Sequence, residues 1–245
     1  MCIRDRNRNY DYGPKNRSNV SHLSKYITHR VINEYDVINL ALSEYSLTKI
    51  EKYVQEVFWR IYWKGWLEHR PQVWSDYYEY SNNNSNSEAY KKAIEGTTGI
   101  VCFDNWVEEL VNENYLHNHT RMWFASIWIF TLNLPWQLGA NFFMRHLLDG
   151  DSASNTLSWR WVAGLQTIGK HYLATASNIS KFTNNVHKPQ NLNEDALPLN
   201  ENKTYDLIDI NYSTLEQSSD TLLIADNNLS LKNHEDIYLS LIHIS

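Results

Sequence analysis

The chain has 245 residues, 42% of them hydrophobic, with 10 Trp, 16 Tyr, 2 Cys and a net charge of −6. That is enough for one large domain, or a domain with a tail, around a packed core. The acidic balance counts against a general nucleic-acid-binding chain, which is normally basic. Cys2 and Cys102 cannot build a disulfide framework or a four-thiolate cluster, and no apolar run reaches the roughly 18 residues of a membrane span.

The opening MCIRDR and the closing SLIHIS resemble translated adapter sequence and are left out of the fold reading. Residues 7–20 are polar and contain Gly13 and Pro14, so they read as an extended lead-in. A helical stretch follows from Ser24 to Val31, and Asn33 is the expected N-cap of a second helix through about Ser43. The clearest helix runs from about Thr48 to Glu68. Ile50, Val54, Val57, Phe58 and Ile61 share its apolar face, and Tyr53, Glu56, Arg60 and Trp63 share another. Such a helix packs on a core and presents a site. Pro71 closes this segment.

Residues 76–88, DYYEYSNNNSNSE, read as a polar surface loop. Helices are expected again near Glu88–Glu95, Phe103–Asn114, His119–Leu132, Gln137–Leu148 and Asp151–Leu165, with Asp151 capping the last. After Phe182 Asn, Asp and Ser dominate. Residues 8–183 are therefore expected to form one all-α domain, and 184–245 a linker with a disordered or truncated tail. All ten Trp lie between Trp59 and Trp161, which suits either a bulky core or a stacking and electron-transfer site.

Five segments carry a resemblance. They are VSHLSKYI at 20–27, QEVFWRIYW at 55–63, TGIVCFDNWVEEL at 98–110, LHNHTRMWFAS at 116–126 and HLLDGDSASNTLSWRW at 146–161. In this order they resemble the helical FAD-binding domain of DNA photolyases and cryptochromes. The DGDxxxN block followed by WxW is the most specific part. The family's N-terminal α/β antenna domain has no counterpart here.

The resemblance implies FAD as cofactor, contacted by Ser21, Leu23, Ser24, Tyr53, Arg60, Arg121, Asp149, Asp151 and Asn155. Ser21 and Ser24 stand where a helix begins, a place that suits a pyrophosphate or simple N-capping. Arg121 and Asp149 match the family's Arg–Asp pair beside the flavin ring, and Asn155 the residue facing flavin N5. Glu56, Trp59, Asn118, Met122 and Trp161 match its lesion pocket, with Trp59 and Trp161 as opposite walls around a flipped-out base. Met122 matches the class acting on cyclobutane dimers. Trp159 and Trp136 match the first two members of the family's tryptophan chain. The third position falls on Asn83, so Trp106, Tyr80 or Tyr90 is left to substitute, or the chain is broken. His119 stands where photolyases often carry an Arg facing DNA phosphate.

The function this resemblance implies is blue-light-driven repair of pyrimidine dimers in DNA by a cytoplasmic, monomeric lyase that needs no metal and no membrane. The alternative it leaves is a cryptochrome-like light sensor without repair activity, which the acidic balance and His119 favour.

Overall fold

The computed structural model describes residues 9–83, 87–210, 228 and 229. Both adapter-like ends, and most of the chain beyond 210, lie outside them. The described residues form α1 (Ser24–Thr28), α2 (Glu34–Glu44), α3 (Leu47–Glu68), α4 (Pro71–Asn83), α5 (Glu88–Glu95), α6 (Val101–Glu113), α7 (Asn118–Ser126), α8 (Trp136–His146), α9 (Ser152–Ala163) and α10 (Ala176–Phe182). No strand element occurs among them. The all-α expectation holds.

Local chemistry fixes the helix ends. Asn33 and Asp36 form a reciprocal capping box on α2: Asn33 Oδ1 accepts from the Asp36 N–H at 2.9 Å, and Asp36 accepts in return from the Asn33 N–H. Asp151 Oδ1 accepts from the Ser154 N–H at 2.8 Å and so starts α9 where the sequence places it. Gly164, at φ +84°, ends α9 in the left-handed conformation that a residue with a side chain rarely adopts. On α3, Ile50, Val54 and Val57 are buried as expected, whereas Phe58 is 44% exposed.

Two expectations need correction. The supposed loop at 76–88 is helical as far as Asn83. Pro71 does not only close α3; it is the first residue of α4, where its missing N–H costs nothing. Val73, Tyr77 and Ser81, spaced four apart, bury one face of α4, and the polar Asn/Ser composition hides that stripe. The helix expected over His119–Leu132 is α-helical only to Ser126 and widens into a π turn over Ile127–Thr131. Pro135 follows that turn, and Trp128 Nε1 donates to its carbonyl at 2.9 Å.

α3 packs on α2 and α9, α8 on α9, and α4 on α8. The main core lies among α5 to α9 and contains the buried rings of Trp106, Trp123, Trp128, Trp136 and Trp159. The polar stretch after 183 folds back over these helices. The Leu199 N–H donates to the Ala163 carbonyl at 2.9 Å, and a Cβ at Gly164 would stand 2.6 Å from Pro198 Cβ. Lys203 and Tyr205 both bond Asp76 on α4.

Candidate functional site

A polar network joins four parts of the chain where α1, α3, α7 and the α8–α9 turn meet. Arg121 Nη2 lies 2.9 and 3.0 Å from the two carboxylate oxygens of Asp149, and its Nε donates to the Leu116 carbonyl at 2.9 Å. Arg60 on α3 donates to the Thr28 hydroxyl at 2.5 Å, and that hydroxyl donates to the Asp149 backbone carbonyl at 3.2 Å. Burial pushes the Asp149 carboxyl up. The charge and hydrogen bond of Arg121, the Ser24 hydroxyl and the charge of Arg60 outweigh it and hold it below its usual value. Asp149 is thus ionised at neutral pH, and Ser24, Arg60, Arg121 and Asp149 form one site.

The remaining cofactor candidates lie on α3, at the start of and within α9, and just before α1. Asn155, buried on α9, donates from Nδ2 to the Ala140 carbonyl at 2.8 Å. That bond fixes the amide and leaves its oxygen as the acceptor. Asp151 caps α9 and lies 3.6 Å from Lys64. Tyr53 is half-buried, and burial, reinforced by the charge of Glu56, raises its phenol. Ser21 is exposed and accepts from the Leu23 N–H, so it acts locally, while Leu23 packs on the α1–α3 core.

Of the lesion-pocket candidates, Trp59 is 50% exposed and meets Tyr62 and Trp63, at ring centroids 5.3 and 5.2 Å. Trp161 is 36% exposed and stacks on Tyr172 at 6.0 Å. The two Trp rings do not touch. Glu56 and Met122 are partly buried, and Asn118 is exposed at the start of α7. His119 turns inward: it lies 4.2 Å from the Trp123 ring and binds the Asn9 carbonyl at 3.0 Å. Burial lowers its pKa, so it is neutral and does not replace a cationic phosphate contact.

Trp159 is buried with its indole N–H unpartnered, edge-on to Phe124, Trp128 and Phe143. A Cβ at Gly139 would stand 2.3 Å from its ring, so α8 admits Trp159 only because residue 139 is glycine. Trp136 lies one turn before Gly139 on α8. Its Nε1 donates to Glu201 at 2.8 Å, and Glu201 also pairs with Arg160 at 2.7 Å. Gly139 and Glu201 escape sequence reasoning. The first shows only as a glycine inside a helical pattern, and the second sits in a stretch that reads as linker.

This fold and this site define a helical flavin-binding domain. Residues 53–196 match the family of the FAD binding domain of DNA photolyase, and the chain belongs to that family. Ser21, Leu23 and Ser24 precede the matched stretch and Glu201 follows it. The chain is 32% identical over 149 residues to the deoxyribodipyrimidine photo-lyase of Streptomyces griseus, covering 60% of this chain and 32% of that one. It is 28% identical over 176 residues to that of Buchnera aphidicola, covering 67% and 36%. The chain thus spans about a third of the length of these relatives. Among solved structures, a bacterial class III photolyase from Agrobacterium tumefaciens superposes with a TM-score of 0.61 at 26% identity, covering 73% of this chain and 38% of that one. A Synechocystis cryptochrome, at 19% identity and a TM-score of 0.58 over 67% and 36%, shares the fold.

The cofactor is FAD, and the donor set suits it. Arg60 Nε is buried without a partner, and Asp149 Oδ1, although beside Arg121, makes no aligned hydrogen bond. A buried donor and a buried acceptor left over at one network match a ring edge that offers both carbonyl oxygens and an N–H, as a flavin does.

Proposed function

We propose that the chain is the catalytic part of a light-driven DNA lyase that reverses pyrimidine dimers. The observation that carries this reading is the Arg121–Asp149 pair, with its carboxylate buried and joined to Ser24 and Arg60, together with a fixed Asn155 on α9. When bound and reduced, FAD supplies the electron on illumination. Arg121 and Asp149 hold the ring edge, and the cationic guanidinium favours negative charge there. Asn155, tied to Ala140, keeps its amide oxygen for the flavin N–H in the reduced form. Trp59 offers an exposed indole face on which a flipped-out base can stack. Glu56, three residues earlier on α3, presents its carboxyl to a pyrimidine carbonyl, as hydrogen-bond or proton donor. On this reading Asn118 and Met122 contribute from α7, and Trp161 adds a second exposed indole from α9.

A sensor without repair activity is the second reading. His119, neutral and turned inward, favours it, because it leaves one phosphate contact unmade. Reduced, FAD-loaded protein illuminated with a dimer-containing oligonucleotide separates the two. Loss of dimers in wild type that fails in Trp59→Ala and Glu56→Gln supports the lyase. Intact dimers despite bound, reduced FAD support the sensor.

A further inference from the structure

From Trp136, which the resemblance makes the second member of the tryptophan chain after Trp159, a line of rings runs outward through α4. The Tyr77 ring stacks on Trp136 at a centroid distance of 5.8 Å and 17° between planes. Trp74, one turn earlier on α4, lies 5.1 Å from Tyr77. Beyond it, Tyr78 stacks on Trp74 at 6.5 Å and is 58% exposed. Every step from Trp136 to solvent is thus a ring against a ring.

Trp106 and Tyr90 lead elsewhere. Trp106 stacks on Trp123 and meets His187, so its ring contacts run along α6 and α7 and toward residue 187. Tyr90 lies edge-on to Trp128 and is itself buried, so a route through it ends inside the core.

We propose that Trp74, reached from Trp136 across the Tyr77 ring, is the outer station at which an external reductant refills the chain; this rests on the flavin reading above. Trp159 gives one electron to photoexcited oxidised FAD and becomes an indole radical cation. Trp136 refills Trp159, and Trp74 refills Trp136. A thiol in solution gives Trp74 its electron and releases its proton to solvent, so one electron enters for each that reaches the flavin.

Tyr77 serves as a bridge and not as a stop. A phenol is readily oxidised only if it can shed its proton. Tyr77 is 3% exposed, and burial raises its pKa to about 12, so its proton is held. An indole forms a radical cation without that requirement, and Trp74 is only partly buried.

The test uses the whole FAD-loaded chain and transient absorption after a blue flash, with thiol-driven photoreduction as the second reading. In Trp74→Phe, FAD loading and the early indole radical should persist. The long-lived indole radical should be lost, and photoreduction should fall to the rate of Trp136→Phe. Tyr80→Phe should match wild type in both. A long-lived indole radical surviving in Trp74→Phe, or a persistent radical with a tyrosyl spectrum, overturns the proposal. Trp159→Phe separates the two failures: if it too behaves as wild type, the flavin reading of the chain falls and not merely its outer end.

Discussion

Replacing Asp149 by Ala removes one partner from a pair whose carboxylate side chain is 5% exposed and whose guanidinium is 23% exposed. Stranding one member of a buried ion pair costs roughly 3–5 kcal/mol. Water reaches Arg121 in part, so the lower end applies, about 3 kcal/mol. For a domain of this size that lowers Tm by roughly 6–12 °C. The folded Asp149 titrates below its ordinary value of 3.8, so its contribution is complete above that value. It is lost only as the pH falls through the lower folded value. Thermal melts of wild type and variant should therefore differ at neutral pH and still at about pH 4, and converge only in stronger acid, below the folded value. Retained FAD, measured by flavin absorbance against protein, should fall sharply in Asp149→Ala. The double variant Arg121→Met/Asp149→Leu should regain stability, because no charge is left stranded, but not FAD. Wild-type Tm and FAD content in Asp149→Ala would refute the assignment of the network.

Gly139→Ala should cost roughly 1–3 kcal/mol by overpacking against Trp159, read as a lower urea midpoint. Trp159→Phe should leave FAD bound and slow its bleaching under blue light; an unchanged rate would return Trp159 to the role of core packing. Asp151→Ala should cost about 1 kcal/mol through the lost N-cap of α9, seen in the same denaturation assay. Burial, with Asp11 nearby, raises Glu109 to about 7 despite its 2.7 Å pair with Arg17. A raised folded pKa makes stability fall as pH rises from 4.5 to about 7, and Glu109→Gln should flatten that slope in pH-dependent melts.

Helix α3 was legible because its apolar residues repeat at helical spacing over a long run, and α2 and α9 because Asn33 and Asp151 are side chains that cap. The site was legible only through motif resemblance. Arg121 and Asp149 are far apart in sequence, and no local rule pairs them. Helix α4 was hidden by composition: Asn, Ser and Tyr look like a loop unless the spacing of Val73, Tyr77 and Ser81 is weighed first. The stretch 184–210 was hidden for the opposite reason. Scattered residues dock it, among them Asn193, Pro198, Leu199, Glu201, Lys203 and Tyr205, and contacts so irregularly spaced leave no periodicity to read. The π turn after Ser126 has no sequence signature of its own.

The most direct test of the account is the absorption of the purified, FAD-reconstituted chain under blue light with a thiol present. The account predicts stoichiometric FAD whose blue absorbance bleaches in the light and returns with air. A folded, helical protein that binds no flavin, or holds flavin that does not bleach, would contradict it.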